Sequence, residues 1–142
     1  MHETNISEAT LSELSGKLRA AGLRTTKQRL ALADLLFSGG NRHITAEILH
    51  AEARANGLAV SQATIYNTLN QFHEAGLLRE VIVEQGRSYF DTNLSDHHHF
   101  YVESESRLID IDNQDIAISD LPQTPAGFEP AGVDVIIRLR HK

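Results

Sequence analysis

Four times between Thr10 and Gly76 a serine or threonine opens a short stretch of helically spaced apolar residues that runs into glycine. Thr10-Leu11-Ser12-Glu13 has the spacing of a capping box, Leu11, Leu14 and Leu18 repeat at helical intervals, and Gly22 can terminate the segment. Thr25-Thr26-Lys27-Gln28 offers a second box before the apolar run 30–37 and the stop Gly39-Gly40. Thr45 can cap a third helix through Ile48 and Leu49 to Gly57, and Ser61 a fourth that ends at Gly76. A hydroxyl satisfies an amide that the first turn leaves unpaired, and glycine accepts the left-handed backbone that ends a helix. After Gly76 the pattern changes. Residues 78–84, a Gln85-Gly86 turn and residues 87–91 predict a β-hairpin. Short helices followed by a two-stranded hairpin is the element order of a winged helix-turn-helix.

Residues 91–96 read as a hinge into a second, β-rich part. There, residues 98–103 and 108–112 can pair through a turn at 104–106, and Val133, Val135, Ile137 and Leu139 alternate as a final strand. The stretch 121–130, with its three prolines and Gly127, should be a loop. The net charge of −6 is unevenly placed. Residues 1–90 hold nine Lys and Arg against nine Asp and Glu, and residues 91–142 hold four against ten. A neutral first part and an acidic, His-bearing second part suggest two jobs, and a local basic stripe is enough for DNA.

The absence of cysteine excludes disulfides, thiolate zinc sites, iron–sulfur clusters and thiolate-ligated haem. Any metal must take nitrogen and oxygen ligands. No apolar run approaches the ~18 residues of a membrane span. Met1-His2-Glu3-Thr4-Asn5 lacks the features of a signal peptide, so the expected location is the cytoplasm, with no membrane partner.

On a helical wheel of residues 61–75, Ile65, Leu69 and Phe72 fall on one face and Ala63, Asn67 and Asn70 on the other, flanked by Tyr66, Thr64 and Gln71. That outer face suits a major groove. Ala63 allows close approach to a thymine methyl, and Asn can pair bidentately with adenine. An amide-rich face is by itself more often simply solvated. The flanking elements favour DNA: Arg24, Lys27 and Arg29 cluster at the start of the second helix as phosphate contacts, and Arg87 stands beside the wing turn.

His97-His98-His99 is the second informative feature. On a strand His97 and His99 share one face and His98 takes the other. Imidazole suits iron, zinc, copper and nickel, and can ligate haem axially. Asp91 and Asp96 lie nearby, with Asp110, Asp112 and Asp115 as further oxygen donors. The competing reading is an exposed polar turn, which three histidines opening a strand disfavour. By themselves, His43 fits a cap or surface role and His50 and His73 structural ones.

Taken together, these residues resemble the Fur family of metal-responsive repressors. The matching segments are Ala21-Gly22-Leu23-Arg24 through Gln28-Arg29, Arg42-His43-Ile44-Thr45-Ala46-Glu47, Ala63-Thr64-Ile65-Tyr66-Asn67-Thr68-Leu69-Asn70 and Tyr89-Phe90-Asp91, followed by the His triplet. The resemblance puts Tyr66 and Asn67 at base-contacting positions and Arg24 at a supporting basic one. It implies a hinge-region metal site in which His43, Asp91 and His98 match and Phe100 stands in the last ligand position. It implies a second site with His97, His99 and, loosely aligned, His141. Glu103 and Ser106 stand where a structural cysteine pair would be.

The segments His97-His98-His99-Phe100-Tyr101, Phe90-Asp91-Thr92-Asn93 and Ile136-Ile137-Arg138-Leu139-Arg140 look like the iron response regulator branch (Irr) of rhizobia and their relatives. That branch acts when iron is scarce, at AT-rich operators, and haem impairs it. The resulting expectation is an α+β chain. Residues 1–91 form a winged helix-turn-helix DNA-binding domain, and residues 92–142 a small α/β domain for dimerisation and metal or haem sensing. The expected cofactors are haem at His97, His98 and His99, and a divalent metal (iron, manganese or zinc) at the His/Asp sites. The expected partners are double-stranded DNA and a second copy of the chain. The alternative from another class is a metal- or haem-carrier module whose winged helix does not bind DNA. Enzyme activity is not expected, since no nucleophile–base arrangement or phosphate loop appears.

Overall fold

Hydroxyl groups start all four helices of the computed structural model, which describes residues 6–84 and 87–142. Helix α1 (Glu8–Ala20) begins at Ser7, whose Oγ accepts from the Thr10 amide at 3.1 Å. Helices α2 (Lys27–Phe37), α3 (Ala46–Ala55) and α4 (Gln62–Glu74) begin at Thr26, Thr45 and Ser61, which accept from the Arg29, Ile48 and Thr64 amides. Two expectations shift. Ser7 has the extended cap backbone, so Thr10 lies inside α1 and its hydroxyl accepts from that of Ser7. Thr26 caps α2 instead of Thr25.

Past α3 and α4 the chain turns left-handed at Gly57 (φ 76°) and Gly76 (φ 82°). Leu58 and Leu77 then donate their amides back to the Ala53 and Phe72 carbonyls, each at 2.9 Å. These bonds satisfy carbonyls that the helix end would leave orphaned. Leu18, Leu32, Leu36, Leu49, Ile65, Leu69 and Phe72 meet in one core with no exposed surface. Burying each large apolar side chain contributes about 1.5–3 kcal/mol, which is what holds helices of this length.

Strands β1 (His43–Ile44), β2 (Arg79–Glu84) and β3 (Arg87–Asp91) form an antiparallel sheet in the order β1-β3-β2. The expected Gln85-Gly86 turn lies outside the described residues, as do residues 1–5. In β2, Val81 and Val83 are buried and Ile82 is 62% exposed, the alternation of a sheet with one solvated face. β1 is too short to carry a periodic signal. It adds to the edge of β3 in the register His43↔Asp91 and Ile44↔Phe90.

The chain divides into two compact units, one ending at Leu94 and the other spanning Ser95–Lys142. In the second, β4 (His97–Val102), β5 (Arg107–Asp112) and β6 (Ile136–Leu139) form a sheet in the order β5-β4-β6. The β4–β5 hairpin closes through a 3-10 turn at Glu103–Glu105, and β6 runs parallel to β4. A parallel partner needs a long crossover, and residues 116–135 supply it without helix or strand. Val133 falls outside the regular strand, while Val135 reaches β4 through its carbonyl, which accepts from the His99 amide at 3.1 Å. Among the described residues no helix is long and apolar enough to cross a membrane.

Candidate nucleic-acid face and metal centre

Helix α4 separates cleanly into two faces. Ile65, Thr68, Leu69 and Phe72 are buried, while Ala63, Tyr66 and Asn67 are exposed and Asn70 is half-buried. Tyr66 keeps half its surface in solvent. Thr64 is half-buried, with its hydroxyl 2.9 Å from that of Ser61, so it belongs to the helix start. Beside this face lies a groove of about 360 Å³ lined by Arg24, Thr26, Gln28, Arg29, Thr64, Asn67, Thr68 and Gln71. The basic cluster and the amide face are therefore neighbours in space as well as successive in sequence.

Arg24 and Lys27 are exposed at that rim. Arg29 differs from its expected role as a simple phosphate contact. Its Nη1 donates to the Arg24 carbonyl at 3.1 Å and its Nη2 to Gln71 Oε1 at 2.9 Å, which joins the start of α2 to α4. Gln71, which the sequence reading left at the margin of the reading face, is thus the fixed point of that joint. Arg87 lies 3.4 Å from Glu84, a surface pair whose charges are compensated locally and exchange cheaply.

His43 and Asp91 face each other across the β1–β3 ladder, with Nε2 and Oδ2 3.3 Å apart. The Asn93 amide donates to Asp91 Oδ1 at 2.9 Å and fixes the carboxylate. In the second unit, His97 and His99 share one face of β4, and each Nε2 lies 3.4 Å from Asp110 Oδ1. Their rings meet edge to face with centroids 4.6 Å apart. His97 Nδ1 donates to the Ser95 carbonyl, so the neutral ring turns the Nε2 lone pair toward Asp110. A lone pair facing a carboxylate requires a cation between them, either a proton or a metal ion. Two imidazole nitrogens and a carboxylate oxygen, all within 4.8 Å of one another, fit a divalent ion such as iron, manganese or zinc.

Strand parity separates the triplet as the sequence implied. His98 points to the opposite face from His97 and His99, and its Nδ1 accepts from the Val135 amide at 3.0 Å. His98 and Phe100 therefore share the face of β4 opposite the converging imidazoles of His97 and His99. His141 lies 2.9 Å from Glu105, in the turn at the far end of the hairpin from His97. Six strand residues separate those ends by about 17–20 Å, so His141 cannot join His97 and His99 in one ion's shell. Asp110, one of the oxygen donors named from the sequence, is the carboxylate that His97 and His99 meet. Its signal was available, because a hairpin closing at 103–106 pairs 99 with 110.

The sequence matches the ferric uptake regulator family over residues 20–137. The peroxide-responsive repressor PerR of Staphylococcus aureus (strain Mu50 / ATCC 700699) is 34% identical over 103 residues, 72% of this chain and 69% of the relative. The ferric uptake regulator of Pseudomonas aeruginosa, solved with manganese, superposes with a TM-score of 0.69 at 24% identity, covering 91% of this chain and 98% of that one. That of Vibrio cholerae superposes at 0.70 with 21% identity, covering 89% and 98%. The chain belongs to the ferric uptake regulator family of metal-responsive, dimeric, DNA-binding transcriptional regulators.

Proposed function

We propose that this chain regulates iron and haem homeostasis in the manner of the iron response regulator branch: it binds DNA when iron is scarce and is inactivated by haem. The observation that carries the metal response is the convergence of His97 and His99 on one Asp110 oxygen, each at 3.4 Å, in a chain without thiols. In this reading residues 1–91 bind an AT-rich operator and residues 92–142 dimerise and sense. Ala63, Tyr66, Asn67 and Asn70 read base edges from the exposed face of α4, with Thr64 securing its first turn. Arg24 and Lys27 contact phosphates, and Arg29 and Arg87 join them through donors not committed to Gln71 and Glu84. His43 with Asp91, and His97 with His99 and Asp110, are the ligand sets for iron, manganese or zinc. The Pseudomonas and Francisella family structures, solved with manganese and with iron, support that choice of ions. A bound divalent ion would supply positive charge to both carboxylates.

Haem fits this conformation less well. His97, His98 and His99 are 4, 3 and 2% exposed, and His98 already uses Nδ1. Axial ligation therefore requires a second conformation in which β4 is uncovered. Haem can drive such a change only by binding that conformation more tightly.

The test is a titration of purified protein with haem, followed by absorbance, alongside binding to a duplex the protein itself enriches from a random AT-rich pool. DNA affinity should fall with added salt, with a slope set by the phosphates contacted. A salt-independent complex would favour the carrier reading. The variant H97A/H98A/H99A should keep its DNA affinity and lose the haem response, and undiminished inhibition by haem would sink the assignment. A second reading, peroxide response, is favoured by the staphylococcal relatives, which are peroxide-responsive repressors. Loss of DNA binding on adding peroxide to iron-loaded protein, with haem inert, would select it.

A further inference from the structure

A strand of two residues cannot hold a ligand pair by its own ladder. What fixes β1 is the residue before His43. The Arg42 amide donates to Thr92 Oγ1 at 2.8 Å, and the Thr92 amide donates to the Arg42 carbonyl at 3.1 Å. Arg42 precedes His43 and Thr92 follows Asp91, so these bonds continue the β1–β3 pairing one step beyond the two ligands.

The Arg42 side chain then leaves the sheet for the helices. Nη1 donates to the Leu35 carbonyl at 3.1 Å, in the last turn of α2 where carbonyls lack helical partners. Both terminal nitrogens engage the two carboxylate oxygens of Glu52 on α3. Bidentate geometry makes this the strong form of an ion pair, and both side chains are only about 30% exposed. The Glu52 hydrogen bonds hold the guanidinium pKa above its ordinary value despite partial burial. On the other side of His43, Thr45 caps α3 itself. Leu49 and Ala53 of α3 share a core with Ile65 and Leu69 of α4.

We propose that Arg42 is a positioning residue that couples the His43–Asp91 pair to α3, so that occupancy of the pair by a metal stiffens the helix-turn-helix. The inference rests on the reading of His43 and Asp91 as metal ligands. His43 is flanked by Arg42, which grips the body of α3, and by the start of α3 at Thr45. A change in how firmly His43 is held therefore has no slack through which to dissipate before reaching α3. Arg42 touches neither a ligand atom nor the reading face, so its action is wholly through its neighbours.

Cobalt(II) added to the full chain, with hydrogen exchange of backbone amides, tests this without knowledge of the operator. In the wild type, cobalt should slow exchange in α3 relative to α1 by about tenfold, within the usual range of coupling free energies. In E52A and R42A, cobalt should still bind, by its visible absorption, while the relative protection of α3 falls below about twofold. The charge swap R42E/E52R should restore part of it. A merely structural role would speed α3 exchange equally with and without cobalt. Wild-type protein whose α3 amides ignore cobalt overturns the inference with no variant needed, as does an unchanged cobalt effect in E52A. The underlying ligand reading is tested separately by H43A and D91N, each made in an H97A/H99A background so that cobalt absorption reports the His43–Asp91 pair alone. Undiminished cobalt absorption and protection in both defeats that reading, whereas their loss with E52A unaffected defeats only the role of Arg42.

Discussion

In the unit that ends at Leu94, leucines, isoleucines and phenylalanines from four helices and the hairpin fill one apolar core. In Ser95–Lys142, about half as long, the buried apolar residues are Tyr101, Val102, Leu108 and Ile111, and three histidines are buried with them. The first unit draws on the hydrophobic effect, which is non-directional and roughly proportional to the apolar area removed from water. The second encloses imidazoles that are favourable there only when each finds a partner, and His98 Nε2 finds none among the described residues. A domain this small buries a modest share of its surface. Its stability is therefore open to adjustment by whatever binds the buried nitrogens. On the function proposed above, the unit with the larger core presents the reading helix, and the unit with three buried histidines is the one whose stability a ligand can adjust most.

The largest test of the contrast is Leu69→Ala. Leu69 has no exposed surface, and truncating such a residue costs about 2–5 kcal/mol, the spread reflecting how far the cavity collapses. Urea unfolding followed by helical circular dichroism should show a lower midpoint with an unchanged slope. A loss below about 1 kcal/mol would mean that the helices are held by something other than their core. The metal provides the next largest effect. Zinc at a hundred times its dissociation constant should stabilise the unit that binds it by about 2.7 kcal/mol, and H97A/H99A should abolish that gain. Equal stabilisation of wild type and H97A/H99A would break the contrast, because the polar interior would then not be the adjustable part.

Much of the first unit was legible in the sequence because its rules are local. Glycine stops, the inward set Ile65, Leu69 and Phe72, and the caps Thr45 and Ser61 each follow from a few neighbouring residues. Ser7 was missed because Thr10 and Glu13 satisfy the spacing of a capping box one turn too late, and spacing does not reveal which hydroxyl has extended backbone. β1 was illegible, since two residues carry no period. The link from Arg29 to Gln71 joins residues 42 apart and is invisible without tertiary structure. In the second unit, strand parity separated His98 from His97 and His99 correctly. Which carboxylate meets His97 and His99 was not legible from residue type alone, and the hairpin register that pairs His99 with Asp110 is what singles it out.

The smallest effect worth measuring sits where fold and function share an atom. Ser61 Oγ accepts from the Thr64 amide at 3.1 Å and lies 2.9 Å from the Thr64 hydroxyl, at the end of α4 proposed to enter the groove. Removing the cap in Ser61→Ala should cost about 1 kcal/mol, whereas Ser61→Gly, which suits the cap backbone, should cost only a few tenths. The two variants lose the same hydroxyl, so they separate its structural worth from any contact with DNA. If affinity for the enriched duplex follows stability, the alanine variant binds more weakly than the glycine variant, and the hydroxyl serves the helix alone. If both bind equally weakly at their different stabilities, the hydroxyl of Ser61 itself meets the DNA. Equal stability losses in the two would instead remove Ser61 as the cap. The start of α4 would then depend on its packing, as the rest of the first unit does.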